Sequence, residues 1–374
     1  MYCAQHERKA NKIDALIKDE IYISNIIEEF DKARTFIEGN KINVIINQSF
    51  FVGSISNSIL QSGIFSNMMF DCGYLRKVVD SLPHRCHILS CHHLNPGADY
   101  LGYPKNIHRI ITDARSISSF IWGCKNIGRY IRIRLRYKHI INEYYRELFL
   151  CSDRLILLSS SFEKEWEDIL KVKGQNKLIS IPNILSYQEY LSPERIKDKE
   201  KIALVVARLD EHQKKISRIL NVWKKIESIE SFMDWKLVIV GTGEDDAKYR
   251  KFAEDNLNSV SFEGFQSPLD YYKRASVFLM TSAYEGFGIT LIEAQQFGCV
   301  PIALNTFSAL SDIISDGENG YAADDIKEFE YKLNRLLSDS KLREVMAITA
   351  IDSSKKFSEE QVLNKWESLF QELS

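Results

Sequence analysis

Short apolar runs alternate with stretches of helical periodicity along most of the chain, the signature of parallel strands joined by crossover helices. In the first half, Ile23, Ile26, Ile27, Phe30 and Ile37 keep helical spacing up to Gly39, and residues 42–46 then predict a strand. Further strands are expected at 87–90, 109–111, 154–158 and 177–180. A helix starting after Ser161 separates the last two, and its early acids, Glu163 to Glu167, suit the positive end of a helix. After Ile181-Pro182-Asn183 the chain turns polar and irregular as far as Lys199-Glu200, which places a domain linker there. The same rhythm then restarts, with strands expected at 202–206, 236–240, 260–262, 275–280 and 300–303. The pattern divides the chain into residues 1–182, 183–355 and a closing segment 356–374. The fold class is α/β: two Rossmann-like domains facing each other across a cleft, with a ligand at the carboxyl ends of their strands.

The length of 374 residues suits two domains. Hydrophobic and charged shares of 45% and 27% are those of a globular protein. No apolar run approaches the roughly 20 residues of a membrane-spanning helix. The net charge of −2 gives the whole chain no polycationic character, so no nucleic acid is expected as a partner. No signal-type apolar stretch follows Met1, and a cytoplasmic address is expected. The seven scattered cysteines, none in a C-x-x-C pair, fit a reducing compartment. His84, Cys86, His87, Cys91, His92 and His93 crowd into one short segment and raise the question of zinc, hence of a metal-dependent hydrolase. Their spacing matches no standard finger, and alternation along a strand would put them on both faces, so no metal site is expected.

Four features of the second half fall where strands end. The segment Thr281 to Ala294 carries a turn with Gly286 and Gly288 and then a helix from about Gly288 to Gly298, so free backbone amides and a positive dipole end can cradle a diphosphate. Glu285 would face whatever hangs beyond the phosphates, and the two oxygens of Glu293 suit the hydroxyls of a ribose. The plainer reading of both is a favourable acid near a helix start. Arg208 leaves the strand before it and Lys214 opens the next helix, so both cations can converge on one cleft and stabilise a leaving diphosphate without a metal. No Asp-x-Asp motif for holding manganese is present. Gly241 and Gly243 form a Gly-x-Gly turn after a strand, but Asp246 stands where a dinucleotide fingerprint needs its third glycine; backbone approach to a ligand and a tight turn both remain open. Phe262-Glu263-Gly264-Phe265 either meets a nucleobase or packs in the core.

Taken in order, Ser152-Asp153-Arg154, Ile181-Pro182-Asn183, Arg208 with Lys214, Gly241-x-Gly243 and the E-x7-E of Glu285 and Glu293 resemble the family 4 retaining glycosyltransferases, glycosyl transferases group 1, over about residues 140–374. The resemblance implies a GT-B fold, a nucleotide-sugar donor and retention of anomeric configuration. It implies that Arg208 and Lys214 hold the donor diphosphate, that Gly286, Phe287, Gly288 and Ile289 offer backbone amides, that Glu285 contacts sugar hydroxyls and that Glu293 holds the ribose. It makes Phe357 to Trp366 the start of a helix crossing back onto the first domain, and it places a histidine of the first domain near the donor sugar, for which His93 is chosen over His92. Two departures stand out: the family opens with a strand and a Gly-Gly loop, whereas here a helix comes first, so either the first β-α unit is lacking or the start lies upstream; and residues 304–312 lack the family's usual glycines and glutamate.

The function expected is a retaining, metal-independent transferase moving a hexose from a nucleotide sugar to a glycan or lipid-linked acceptor in cell-surface polysaccharide synthesis, with no cofactor. A non-catalytic nucleotide-sugar or glycan-binding scaffold is the alternative. Between Ala114 and Asn142 seven Lys/Arg and no acids interleave with Phe120, Trp122, Tyr130 and Tyr137, so contact with anionic membrane through residues 115–138 is expected, RNA being the rival and a solvated face the plainer reading.

Overall fold

The computed structural model describes residues 30–48, 75–97, 139, 141–174 and 176–374. The expected elements at 23–27 and 109–111 and the basic segment 115–138 lie outside the described residues. Two all-parallel sheets form the frame, one of order β1-β2-β3-β4 and one of order β10-β9-β8-β5-β6-β7.

Helix α1, Phe30–Gly39, precedes β1, Val44–Gln48. The strand starts two residues later than the apolar run suggests, because Lys41 adopts φ 54° and the amide of Ile42 still bonds back to the Ile37 carbonyl, closing the helix. Strands β2, His87–His92, β3, Arg154–Leu157, and β4, Leu178–Ser180, complete the first sheet, with α2, Ser161–Leu170, between the last two. Asp153 joins β3 to β2 by accepting the Ile88 amide at 2.8 Å.

In the second domain β5, Glu200–Val206, is followed by α3, Ile216–Glu227, then β6, Lys236–Val240, α4, Asp246–Asn256, and β7, Val260–Gly264. The chain then returns through α5, Leu269–Arg274, to β8, Ala275–Met280, on the other side of β5. From there α6, Ile289–Gln296, β9, Val300–Leu304, α7, Leu310–Ile313, and β10, Tyr321–Ala323, build outward. Helices α8, Ile326–Ser338, and α9, Ser340–Ser354, cover that edge. The wholly buried β8 and β9 read as continuous apolar runs because helices cover both faces. The order of the sheet reverses between β5 and β8, so the loops leaving their carboxyl ends diverge there and open a crevice.

The last helix, α10, Glu359–Leu373, starts on a Ser358 cap that accepts the Gln361 amide. Its Val362 and Leu369 are buried with Leu89, Cys91 and Ile156 of the first sheet, so the chain ends back on the first domain. Glu372 forms an ion pair with Arg154 at the edge of that contact.

Candidate active site

Two loops at the β5/β8 switch point carry most of the chemistry. The first leaves β5 at Val206. Asp210, almost fully buried, folds it by accepting the His212 amide at 2.8 Å and the Gln213 amide at 3.4 Å, an Asx-type turn. Lys214 follows, its amide bonded to the Asp210 carbonyl at 2.8 Å. Lys215 then enters α3 at φ 52°, a left-handed conformation uncommon for a residue with a side chain, and the Thr281 hydroxyl bonds its carbonyl at 3.0 Å. The second loop leaves β8 through buried Thr281 and Ser282, turns at Tyr284 to Gly286 and enters α6 at Gly288, whose φ is 86°. Gly288, the N-cap of α6, has no side chain with which to cap the first-turn amides.

The two loops lock together. Lys214 Nζ donates to both oxygens of Glu285, at 2.6 and 2.8 Å, and the side chains of the pair are only 17% and 8% exposed. Arg208 Nη2 donates to Gln213 Oε1 at 2.9 Å and lies 3.2 Å from an Asp210 oxygen. Gln213 Nε2 in turn donates to the Tyr284 carbonyl at 3.3 Å, the residue before Glu285. The structure therefore brings Arg208, Lys214, Glu285 and the glycine turn together. A recess behind the Lys214–Glu285 pair is lined by Val206, Ala207, Thr281 and Ser282.

Gly286 belongs to this turn for a steric reason: a Cβ there would stand 2.6 Å from the His93 carbonyl oxygen. That approach places His93, half-buried at the end of β2, beside the turn, while burial lowers its imidazole pKa. His92 points elsewhere. It is fully buried, packs at 5.3 Å on a tilted Tyr145 ring and at 5.1 Å edge-on to Trp166, and burial pushes its pKa down to about 3. The buried Cys86, His87 and Cys91 do not assemble with it into a metal site; among the described residues no group of three or more His, Cys, Asp or Glu is placed to hold an ion.

The remaining candidate positions differ in their surroundings. The Phe287 ring is buried edge-on against Phe357, so only its backbone faces the turn. Between the two readings left open for Gly241 and Gly243, the protein's own backbone accounts for the glycines: a Cβ on Gly241 would fall 1.9 Å from the Ala207 oxygen and one on Gly243 2.3 Å from the Leu209 oxygen. The Gly241 amide donates to Gly264 O at 2.7 Å. These glycines let the Arg208 loop lie flat on the end of β6. Glu293, on α6, is buried, accepts the Tyr272 hydroxyl at 2.9 Å and a hydrogen bond from Ser186, and has its pKa raised by burial. No contact joins it to Arg208 or Lys214. Ile289 starts α6, half-buried against the core. Phe262 packs on the core with the Arg250 guanidinium over its ring, whereas Phe265 is exposed.

Residues 304–312, which depart from the expected pattern, act as a bridge. Thr306 Oγ1 donates to the Ser282 carbonyl at 2.7 Å, Ser308 Oγ reaches Asn95 Oδ1 at 3.4 Å, and Asp312 accepts from Ser159 and Ser161 at the start of α2. Gln213, Asp210, Thr281 and Tyr284 are site residues that sequence reasoning missed. The only signal for them was proximity to Lys214 and Glu285 along the chain.

Residues 186–352 match the profile of glycosyl transferases group 1. The amylovoran biosynthesis glycosyltransferase AmsD of Erwinia amylovora is 32% identical over 200 residues, 50% of this chain and 54% of that protein. A lipopolysaccharide 1,6-galactosyltransferase of Salmonella typhimurium is 30% identical over 166 residues, 42% of this chain and 45% of the relative. The chain thus spans about half the length of these relatives. Among solved structures, the lipopolysaccharide outer core galactosyltransferase WaaB superposes with a TM-score of 0.63 at 18% identity, over 92% of this chain and 80% of that one. S. aureus TarM in complex with UDP and α-GlcNAc-glycerol superposes with a TM-score of 0.55 at 20% identity, over 80% and 54%. No helix among the described residues is long and apolar enough to cross a membrane. With two parallel-sheet domains and a crevice at the β5/β8 switch point, the fold is GT-B, and within it residues 186–352 match glycosyl transferases group 1.

Proposed function

We propose that the protein is a retaining hexosyltransferase that takes its sugar from a nucleoside-diphosphate donor and passes it to a glycan or lipid-linked acceptor during cell-surface polysaccharide synthesis, from the cytoplasmic side of the membrane. The observation that carries the reading is the joining of Arg208, Lys214 and Glu285 at the start of α6. Breaking the bond between the anomeric carbon and the phosphate builds negative charge on the diphosphate, and two positioned cations beside a helix N-terminus oppose that charge. These groups do the work a bound divalent ion would otherwise do, so the reaction is proposed to need none. Glu285 would take sugar hydroxyls and His93 would face the sugar from the first domain. Gly286 to Ile289 would offer amides to the diphosphate, and Glu293, held by Tyr272 through one oxygen, would hold the ribose. Among the described residues no second carboxylate is paired with Glu285 as in a glycosidase, which favours attack from the face the diphosphate leaves.

The relatives named for amylovoran and lipopolysaccharide synthesis support the pathway class. The test is incubation with a panel of radiolabelled nucleotide sugars and membrane-extracted acceptors. Label is expected to move to acceptor with its anomeric configuration kept, to persist in EDTA and to be lost in Lys214→Ala and Glu285→Ala. Unchanged turnover in both variants would refute the site, and donor binding without any transfer would favour a binding scaffold.

A further inference from the structure

We infer that Gln213 is a positioning residue that aims the Arg208 guanidinium at the donor diphosphate, an inference that rests on the donor reading of this site. Gln213 bonds both the Arg208 side chain and the turn before Glu285. Its Oε1 accepts from Arg208 Nη2 at 2.9 Å, its Nε2 donates to the Tyr284 carbonyl at 3.3 Å, and its own carbonyl accepts the Ala283 amide at 2.7 Å. The amide can be oriented only one way, because a flip would set an N–H against the guanidinium and an oxygen against a carbonyl.

The Arg208 side chain is 55% exposed. Left to itself it would spread over many rotamers, and a phosphate would have to order it on binding. Two groups restrain it. Asp210, at 3.2 Å, does so with a carboxylate that offsets the positive charge. Gln213 restrains it with a neutral oxygen, so the charge remains available to an anion. Because the other end of the Gln213 amide is bonded beside Glu285, the direction of Arg208 is tied to the turn that Lys214 also holds. The backbone bond to Ala283 does not depend on the side chain, so a side-chain substitution separates aiming from loop structure.

The experiment is a thermodynamic cycle. UDP, GDP and ADP are titrated by calorimetry into the wild-type protein, and whichever binds is titrated into Gln213→Met, Arg208→Ala and the double variant. Methionine keeps the volume and loses both side-chain hydrogen bonds. Gln213→Met is expected to weaken binding about tenfold, the scale of a hydrogen bond to a charged group, and to change affinity less than twofold once Arg208 is already alanine. Wild-type affinity in Gln213→Met, or its full penalty repeated in the Arg208→Ala background, would overturn the inference. Should Gln213→Met fail to fold, Gln213→Leu carries the same cycle with the same expected outcomes, because leucine also loses both side-chain hydrogen bonds and adds no charge. Failure of all three nucleotides to bind the wild type would instead overturn the donor reading, and this inference with it.

Discussion

Replacing Glu285 with glutamine is expected to tighten binding of a sugar-free nucleoside diphosphate while abolishing transfer. The reason lies in the shared ammonium. Glu285 holds Lys214 Nζ through both oxygens, at 2.6 and 2.8 Å, so a diphosphate using the same cation must sit on its other side, near a carboxylate. A phosphate oxygen there would lie about 5 Å from the Glu285 oxygens, and two unit charges at that separation repel by about 3 kcal/mol at an effective dielectric near 20. Screening and side-chain relaxation cut this figure, which leaves an affinity gain of about tenfold on removing the charge. Stability should move the other way. The two side chains are 17% and 8% exposed, so losing either partner leaves a largely desolvated group alone. Lys214→Ala strands the more buried carboxylate, with an expected loss of about 3 kcal/mol, and Glu285→Gln strands a lysine that can still reach water, with a loss of about 1 kcal/mol. Calorimetric titration with UDP, GDP or ADP and thermal unfolding of each variant measure both quantities. Lys214→Ala should weaken binding and Glu285→Gln strengthen it, although both destabilise. Equal or weaker nucleotide binding by Glu285→Gln would refute the idea that the carboxylate and the diphosphate compete for one cation.

Acid should weaken the fold through His92. Its pKa in the folded protein is about 3 against an ordinary 6.5, so the buried ring stays neutral while the unfolded chain takes up a proton. Stability from this group is complete above about pH 6.5 and is lost as pH falls through the window down to about 3, a loss of about 2 kcal/mol at pH 5. Urea midpoints measured from pH 7 to 5 should fall less steeply in His92→Phe, and identical slopes would sink the assignment. Gly241→Ala puts a methyl 1.9 Å from the Ala207 oxygen at a φ of 134°, so it should cost more than about 3 kcal/mol and weaken nucleotide binding by moving the Arg208 loop. Gly39→Ala, with nothing within 4 Å of the new methyl, should stay within about 0.5 kcal/mol by thermal melting, and equal losses in the two variants would show that the close approach does not matter.

What could be read from the sequence and what could not divides along one physical line. Strands such as β8 and β9 were legible because a parallel strand covered on both faces is a continuous apolar run, a local property. Strand β10 was not: three residues, Tyr-Ala-Ala, carry too little pattern, and only pairing with β9 makes them a strand. At the site, Lys214, Glu285 and the glycines announced themselves by residue type at a strand end. Gln213 did not, because Glu211-His212-Gln213-Lys214-Lys215 looks like the solvated start of a helix, and nothing within it says that the loop after β8 will lie alongside. The Lys214–Glu285 contact spans 71 positions in the chain, and it exists because β8 returns to the far side of β5. Glu293 shows the same limit from the other direction. Its position after the turn suited a ribose, but the packing of α5 against the sheet supplies the buried Tyr272 hydroxyl that holds one of its oxygens. Residues that act through their own chemistry could thus be found from local pattern, whereas residues that act by holding two loops in register depend on strand order.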